Sequence, residues 1–321
     1  MHISRASILY PSMTDFNLER LWHLYSGKSS RTVGEHLKRL GINPGLFRRE
    51  IVRAGFSSET DKVKNGDVTM FRLLTMLYPF LLDALKEKHK IALAYIKQVA
   101  ENSRDIGILD IGWVGNMQGS FGRILSSFRA DCQLSGYYYG TFKDIHQNYG
   151  PRNSYQGYLV NECHPDDLFR ALLSGGVELL EFAHMAPHGT TLGYEMVHGR
   201  VKPVIESNQE DQAIQQLSAR VQSGAMHFIE SAMPVILSIG YANFVSKDWS
   251  GPFFRLVNAP TREEAEYLGD ITHSDSATDT KQRLALAPRT PRSLFGIKGR
   301  KFSAAYDASY WKAGFVARNR K

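Results

Sequence analysis

Three short segments hold the residues whose types and spacing could do chemistry. The first is Asp110-Ile111-Gly112-Trp113-Val114-Gly115-Asn116-Met117-Gln118, which sets a carboxylate at the end of the apolar run Ile106 to Ile111 and follows it with two glycines and two side-chain amides. A carboxylate there can accept a proton or ligate a metal, glycines let backbone approach a ligand, and a following helix offers its free N–H groups to phosphate. The spacing is neither G-x-G-x-x-G nor a Walker A loop, and an Asp that caps the helix, with Trp113 filling a core, accounts for it as well. The second segment runs from Glu178 through Glu181 and His184 to Pro187-His188-Gly189-Thr190-Thr191. In a helix, Glu178, Glu181 and His184 share one face. An E-x-x-H can ligate metal, but a di-metal site needs more carboxylates than one such motif brings. The His188-Gly189-Thr190 turn can hold a phosphate or a sugar, and equally can be a structural turn with a satisfied imidazole. The third is Ser4-Arg5-Ala6-Ser7, where Arg5 is a permanent, bidentate donor suited to phosphate.

Hydrophobic patterning indicates what must position these groups. The first hundred residues read as helical. Thr14 or Asp15 can cap a helix that Gly27 stops, Thr32 to Leu40 and Asn43 or Pro44 to Ala54 follow, and apolar positions recur from Val68 through Leu85 and on to about Val99. At Asp105 the pattern becomes strand, glycine-containing loop, helix (Phe121 to Phe128) and β-prone Leu134 to Phe142, which is a βαβ unit with a buried parallel strand. Helices are predicted over Asp166 to Leu173, Val177 to Ala183 and residues 208 to 246, and strands around the His198-Gly199 turn between Leu192 and Val204. The fold class is therefore α/β and helix-rich: an N-terminal helical layer over 1–104, a core with a small, Rossmann-like, mostly parallel sheet and C-terminal helices over 105–280, and a basic aromatic tail over 281–321.

Of a formal charge of +7, the segment Lys281 to Lys321 carries eleven Lys or Arg against the single acid Asp307, or +10; the first 280 residues carry 28 bases against 31 acids, or −3. The body is thus no nucleic-acid magnet. The tail interleaves its charges with Phe295, Phe302, Tyr306, Tyr310, Trp311 and Phe315, which suits a membrane surface as well as packing on its own domain, and weak order is expected there. The longest apolar stretch, about fourteen residues near Ala232 to Val245, is too short and broken to span a bilayer. Two cysteines, Cys132 and Cys163, without C-x-x-C spacing, fit a reducing cytoplasm, and no signal peptide is expected at the start.

Taken together, S-R-A-S, L-D-I-G-W-V-G-N-M-Q and L-E-F-A-H-M-A-P-H-G-T-T-L-G-Y resemble one family over roughly residues 2 to 205. It is the C-terminal, non-hydrolase half of large bacterial proteins of surface-polysaccharide gene clusters, often labelled predicted haloacid-dehalogenase-type hydrolases. The resemblance implies a glycosyltransferase-like region, with some relatives similar to ribofuranosyltransferases that use phosphoribosyl diphosphate and then remove the 5-phosphate. It points to Asp110, Trp113, Gly115 and Gln118, to Glu181, His188, Gly189 and Thr190, and to Arg5. No D-x-D-x-[TV] hydrolase signature is present and the A-R-D-G-like segment usual upstream is missing, so phosphatase activity is not implied. A fragment, a degenerate copy and one half of a split system stay open. The expected chemistry assigns Asp110 as general base or Mg²⁺ ligand and Glu181 as the alternative base, with Arg5, the Gly115-Asn116 loop and His188-Gly189-Thr190 on the donor phosphates. The partners implied are a phosphate-activated sugar, a glycan or lipid-linked acceptor, a separate phosphatase and the inner membrane surface, without nucleic acid. A non-catalytic scaffold is the competing expectation.

Overall fold

The apolar run after Arg104 becomes strand β1 (Asp105–Trp113), and the segments that follow wind around it in a computed structural model. It describes residues 1–14, 31–64, 66–100, 103–142, 145, 153–161, 172–207, 211–240, 250–273, 284–290 and 298–320. The expected helix ending at Gly27, Cys163, the 166–171 part of the next expected helix, the 241–246 end of the long one, and Phe295 lie outside them. N-terminal to β1 come α1 (Arg5–Ile8), α2 (Val33–Arg39), α3 (Arg48–Ala54), α4 (Val68–Met76) and α5 (Tyr78–Ala100). Thr32 starts α2 with the capping box its T-x-x-E spacing encodes, accepting from the Glu35 N–H while Glu35 accepts from the Thr32 N–H. The apolar faces of α2 to α5 close on one cluster containing Leu37, Ile51, Leu73, Leu74, Leu81 and Leu85.

From β1 the chain enters α6 (Asn116–Ser126) and returns in β2 (Gln133–Thr141), parallel to β1 with Asp105 opposite Gln133 and Trp113 opposite Thr141. A third parallel strand, β3 (Asn153–Val160), which the pattern did not reveal, completes the order β1-β2-β3. Gly112 has φ +119°, and a Cβ there would sit 2.1 Å from the Gly140 carbonyl oxygen, so β1 can approach β2 at this point only through glycine. One sheet face, through Ile106 and Ile108, packs on Ile8, Ile96, Phe121 and Ile124. The opposite face, through Ile111, Tyr139 and Leu159, is covered by Leu172, Val177 and Leu180. Its remainder is open: Leu109 is 80% exposed and Tyr137, its register partner, 50%.

Helix α7 (Val177–Ala183) leads to the hairpin β4 (Thr191–Val197) and β5 (Arg200–Ile205), turning at His198-Gly199 as predicted. Then follow α8 (Asp211–Ile239), α9 (Gly251–Asn258), α10 (Arg262–Leu268), the short pair β6 (Thr272–His273) and β7 (Leu284–Ala285), α11 (Lys298–Ala308) and α12 (Lys312–Asn319). The expectation of a weakly ordered tail is corrected here. Trp311 and Phe315 are 0% exposed and pack with Leu179, Phe182, Val257 and Leu286. The Trp311 indole N–H donates to the Val257 carbonyl at 2.8 Å, and Gly175, at φ +104°, passes so close that a Cβ would lie 2.8 Å from Trp311 Cα. Arg318 is buried on Asp270 and on the Ala287 carbonyl, each reached by Nη1 at 2.7 Å. The reason is the buried aromatic pair, whose apolar area drives the packing, while the buried Arg318 guanidinium is matched by Asp270 and Glu266. Among the described residues no single helix is long and apolar enough to cross a membrane.

Candidate functional site

The site grows from β1 and α1. Strand alternation puts Asp110 on the face of Ile106 and Ile108, toward α1 and α6, near the carboxyl end of the sheet. Open parallel sheets bind ligands at that edge. The S-R-A-S segment is α1 itself: Ser4 is its N-cap and Ser7 closes the capping box, with the Ser4 N–H donating to Ser7 Oγ at 2.9 Å. This short helix carries the exposed Arg5, whose charge reaches the Asp110 carboxylate without forming an ion pair with it. Burial holds the half-buried Asp110 carboxyl above its ordinary range, while the Ile111 N–H donating to Oδ1 at 2.7 Å, and Arg5, pull it partly back. Such a carboxylate is poised to take a proton. Beside it Gly115, at φ +68°, turns the chain into α6, whose first residue is Asn116. Trp113 is the last residue of β1.

The His188 segment converges on the same helix. Ser4 Oγ donates to the Thr191 carbonyl, Tyr194 donates its hydroxyl to the His2 carbonyl at 2.9 Å, and the same hydroxyl lies 3.1 Å from Ser7 Oγ. The His2 and His188 rings stand 4.6 Å apart, and burial, then His188, holds His2 below the ordinary imidazole value. Tyr95 stacks on Tyr194 at 4.2 Å, and burial pushes the Tyr194 phenol up to about 12. Arg5, Asp110 and the His188 to Thr190 turn are therefore gathered around α1. His2 and Tyr194 were not among the candidates, and Ser4 and Ser7 entered only as neighbours of Arg5, although S-x-x-S is a capping-type spacing that could have marked the start of α1.

Other candidates take structural places. Gln118 is 0% exposed, donates from Nε2 to the Leu134 and Ser154 carbonyls at 3.2 and 2.9 Å, and accepts from the Tyr138 hydroxyl at 2.6 Å. The expectation that it binds substrate is corrected: its amide is spent tying α6 to β2 and β3. Gly136 leaves it room, since a Cβ there would meet Gln118 Oε1 at 1.9 Å. Gly189 runs so close to the end of the hairpin that a Cβ would lie 2.1 Å from the Glu206 carbonyl oxygen. The Thr190 carbonyl accepts the Glu206 N–H at 2.9 Å. Glu181 is not gathered with Asp110: α7 packs on the opposite sheet face, and Glu181 Oε2 lies 3.2 Å from His273 Nδ1. His184 donates from Nδ1 to the Leu180 carbonyl at 2.8 Å and accepts the Tyr139 hydroxyl at Nε2, 2.9 Å away, so neither ring nitrogen is left for a metal. Among the described residues no group of three or more His, Cys, Asp or Glu side chains could hold a metal ion. Comparison with protein-family models found no match, and comparison with curated proteins found none either.

Proposed function

We propose that this chain is a glycosyltransferase-like enzyme of bacterial surface-polysaccharide assembly, working in the cytoplasm at the inner membrane face. It moves a sugar from a phosphate-activated donor, phosphoribosyl diphosphate being the first candidate, to a glycan or lipid-linked acceptor. The observation that supports this best is a desolvated Asp110 at the carboxyl edge of a parallel sheet, within the field of Arg5 and next to the N-terminus of α6. In the proposed step Asp110 accepts the proton of the acceptor hydroxyl, whose oxygen bonds to the anomeric carbon. The bond from that carbon to the donor phosphate breaks, and the leaving phosphate departs with the electron pair. Arg5 and the first N–H groups of α6 hold that phosphate, with His188 on the flank. In the alternative to its role as base, Asp110 would hold Mg²⁺ together with the donor phosphates, where the ion would neutralise charge. A separate phosphatase would remove any 5-phosphate left on the product.

The test is thermal stability of the full chain with Mg²⁺ and a panel of donors, phosphoribosyl diphosphate beside common nucleotide sugars. A ligand at 100 times its dissociation constant stabilises by about 2.7 kcal/mol. One donor is expected to raise the midpoint, and Asp110→Asn to lower transfer by about 10² to 10⁴. A second reading, a non-catalytic scaffold for a partner enzyme, is favoured by the open sheet face at Leu109 and Tyr137, because parallel sheets are normally covered on both sides. A panel without any stabilising donor would decide for it.

A further inference from the structure

Helix α1 turns Ala6 and Ser7, not Arg5, toward a cavity of about 380 Å³ between α1, α5 and the β4–β5 hairpin. That volume lies in the range of small-molecule sites, and Asp110 takes no part in the wall. Most of the lining is apolar: Ile91 of α5, Leu192 and Val204 of the hairpin, and the rings of Tyr10 and Tyr194. Two cations share one side. Arg39 Nη2 donates to the Tyr10 hydroxyl at 3.2 Å, and Lys88 Nζ donates to the Arg39 carbonyl at 3.2 Å with its ammonium 6.0 Å from the Tyr10 ring centre.

Among the described residues neither cation meets a carboxylate. Glu87 also lines the cavity, but Lys90 engages it. Lys88 as a whole is exposed, yet its ammonium is held below its ordinary value, by desolvation first and by the Arg39 charge second. Two like charges on a partly dry wall repel each other until an anion comes between them. A phosphate monoester carries nearly two negative charges and three acceptor oxygens, which matches two cationic donors better than one carboxylate does. The apolar remainder of the wall asks for a hydrocarbon body on the same molecule.

We propose that this cavity binds an amphiphilic monophosphate, with its phosphate on Arg39 and Lys88 and its hydrocarbon body against Ile91, Leu192 and Val204. The site stands apart from Asp110 and does not depend on the transferase reading. Isothermal titration of the full chain with geranyl monophosphate, inorganic phosphate and geraniol tests it. Geranyl monophosphate is expected to bind saturably and at least about tenfold more tightly than either fragment. The double variant Arg39→Gln, Lys88→Gln is expected to weaken it by at least about tenfold. Gly193→Leu is expected to do the same while keeping both charges, because Gly193 lines the cavity and a Cβ there meets nothing within 4 Å. Absence of saturable binding would overturn the proposal. So would equal affinity for inorganic phosphate, or unchanged binding in both variants.

Discussion

Under the proposed function, two side chains of one small neighbourhood set the chemistry at residue scale. Arg5 favours the charged form of Asp110 while burial opposes it, so removing the guanidinium moves the carboxyl further up. With Asp110 as base, Arg5→Gln should shift the acidic limb of the kcat/KM profile to higher pH and weaken donor binding together. A limb that stays in place would separate Arg5 from the base. A second titrating residue, His36 of α2, is nearly buried, and desolvation, then Arg31 and Arg39, pulls its imidazole down to about 4. The unfolded chain protonates this side chain near 6.5 and the folded one only near 4, so stability is expected to fall as pH drops through that window. Denaturant unfolding at pH 7 and pH 4.5 measures this, and His36→Leu should flatten the part due to this side chain, worth up to about 3 kcal/mol. The strand end near Asp110 was legible because an apolar run that closes on a carboxylate and glycines marks where a buried strand stops. Gln118 was misread because a buried amide and a ligand-binding amide look the same until the carbonyls of Leu134 and Ser154 are placed around it.

Among the elements, those with strong local signals were read within a few residues. The capped α2, β1, β2 and the β4–β5 hairpin all carry period, cap or turn chemistry in their own residues, whereas α6, expected from Phe121, already begins at Asn116. Strand β3 escaped because Asn153, Ser154 and Gln156 interrupt its apolar pattern; it lies at the sheet edge and is stabilised by β2 rather than by itself. The segment 281–321 was misjudged for the opposite reason. Composition counted eleven bases there, whereas the structure depends on where Trp311 and Phe315 point, and they point inward. Trp311→Ala should therefore cost about 3–5 kcal/mol in urea unfolding, the size expected for a fully buried large aromatic. Deleting 281–321 should yield an aggregating chain, not a folded body that has merely lost a tail; a soluble, cooperatively unfolding product would refute this.

The whole molecule separates charge from greasy surface. The C-terminal segment holds the +10, while the largest run of exposed apolar side chains among the described residues, including Met226, Phe228, Val235 and Leu237, lies on α8, which has no Lys or Arg from 221 to 239. Contact with a membrane through the C-terminal charges would be screened by salt. Co-sedimentation with anionic vesicles should then fall steeply between about 50 and about 300 mM salt, as the screening length drops well below 10 Å. Binding that persists at high salt would assign the contact to an apolar surface instead. The inward seating of Trp311 and Phe315 against Leu179 and Phe182 also has a meaning in time. A ribosome making about 5–20 residues per second needs on the order of ten seconds or more between the two halves of this core. Throughout that interval Leu179 and Phe182 wait uncovered, joined by Val257 once it is made, so a nascent chain of this protein should be a chaperone client until α12 has emerged.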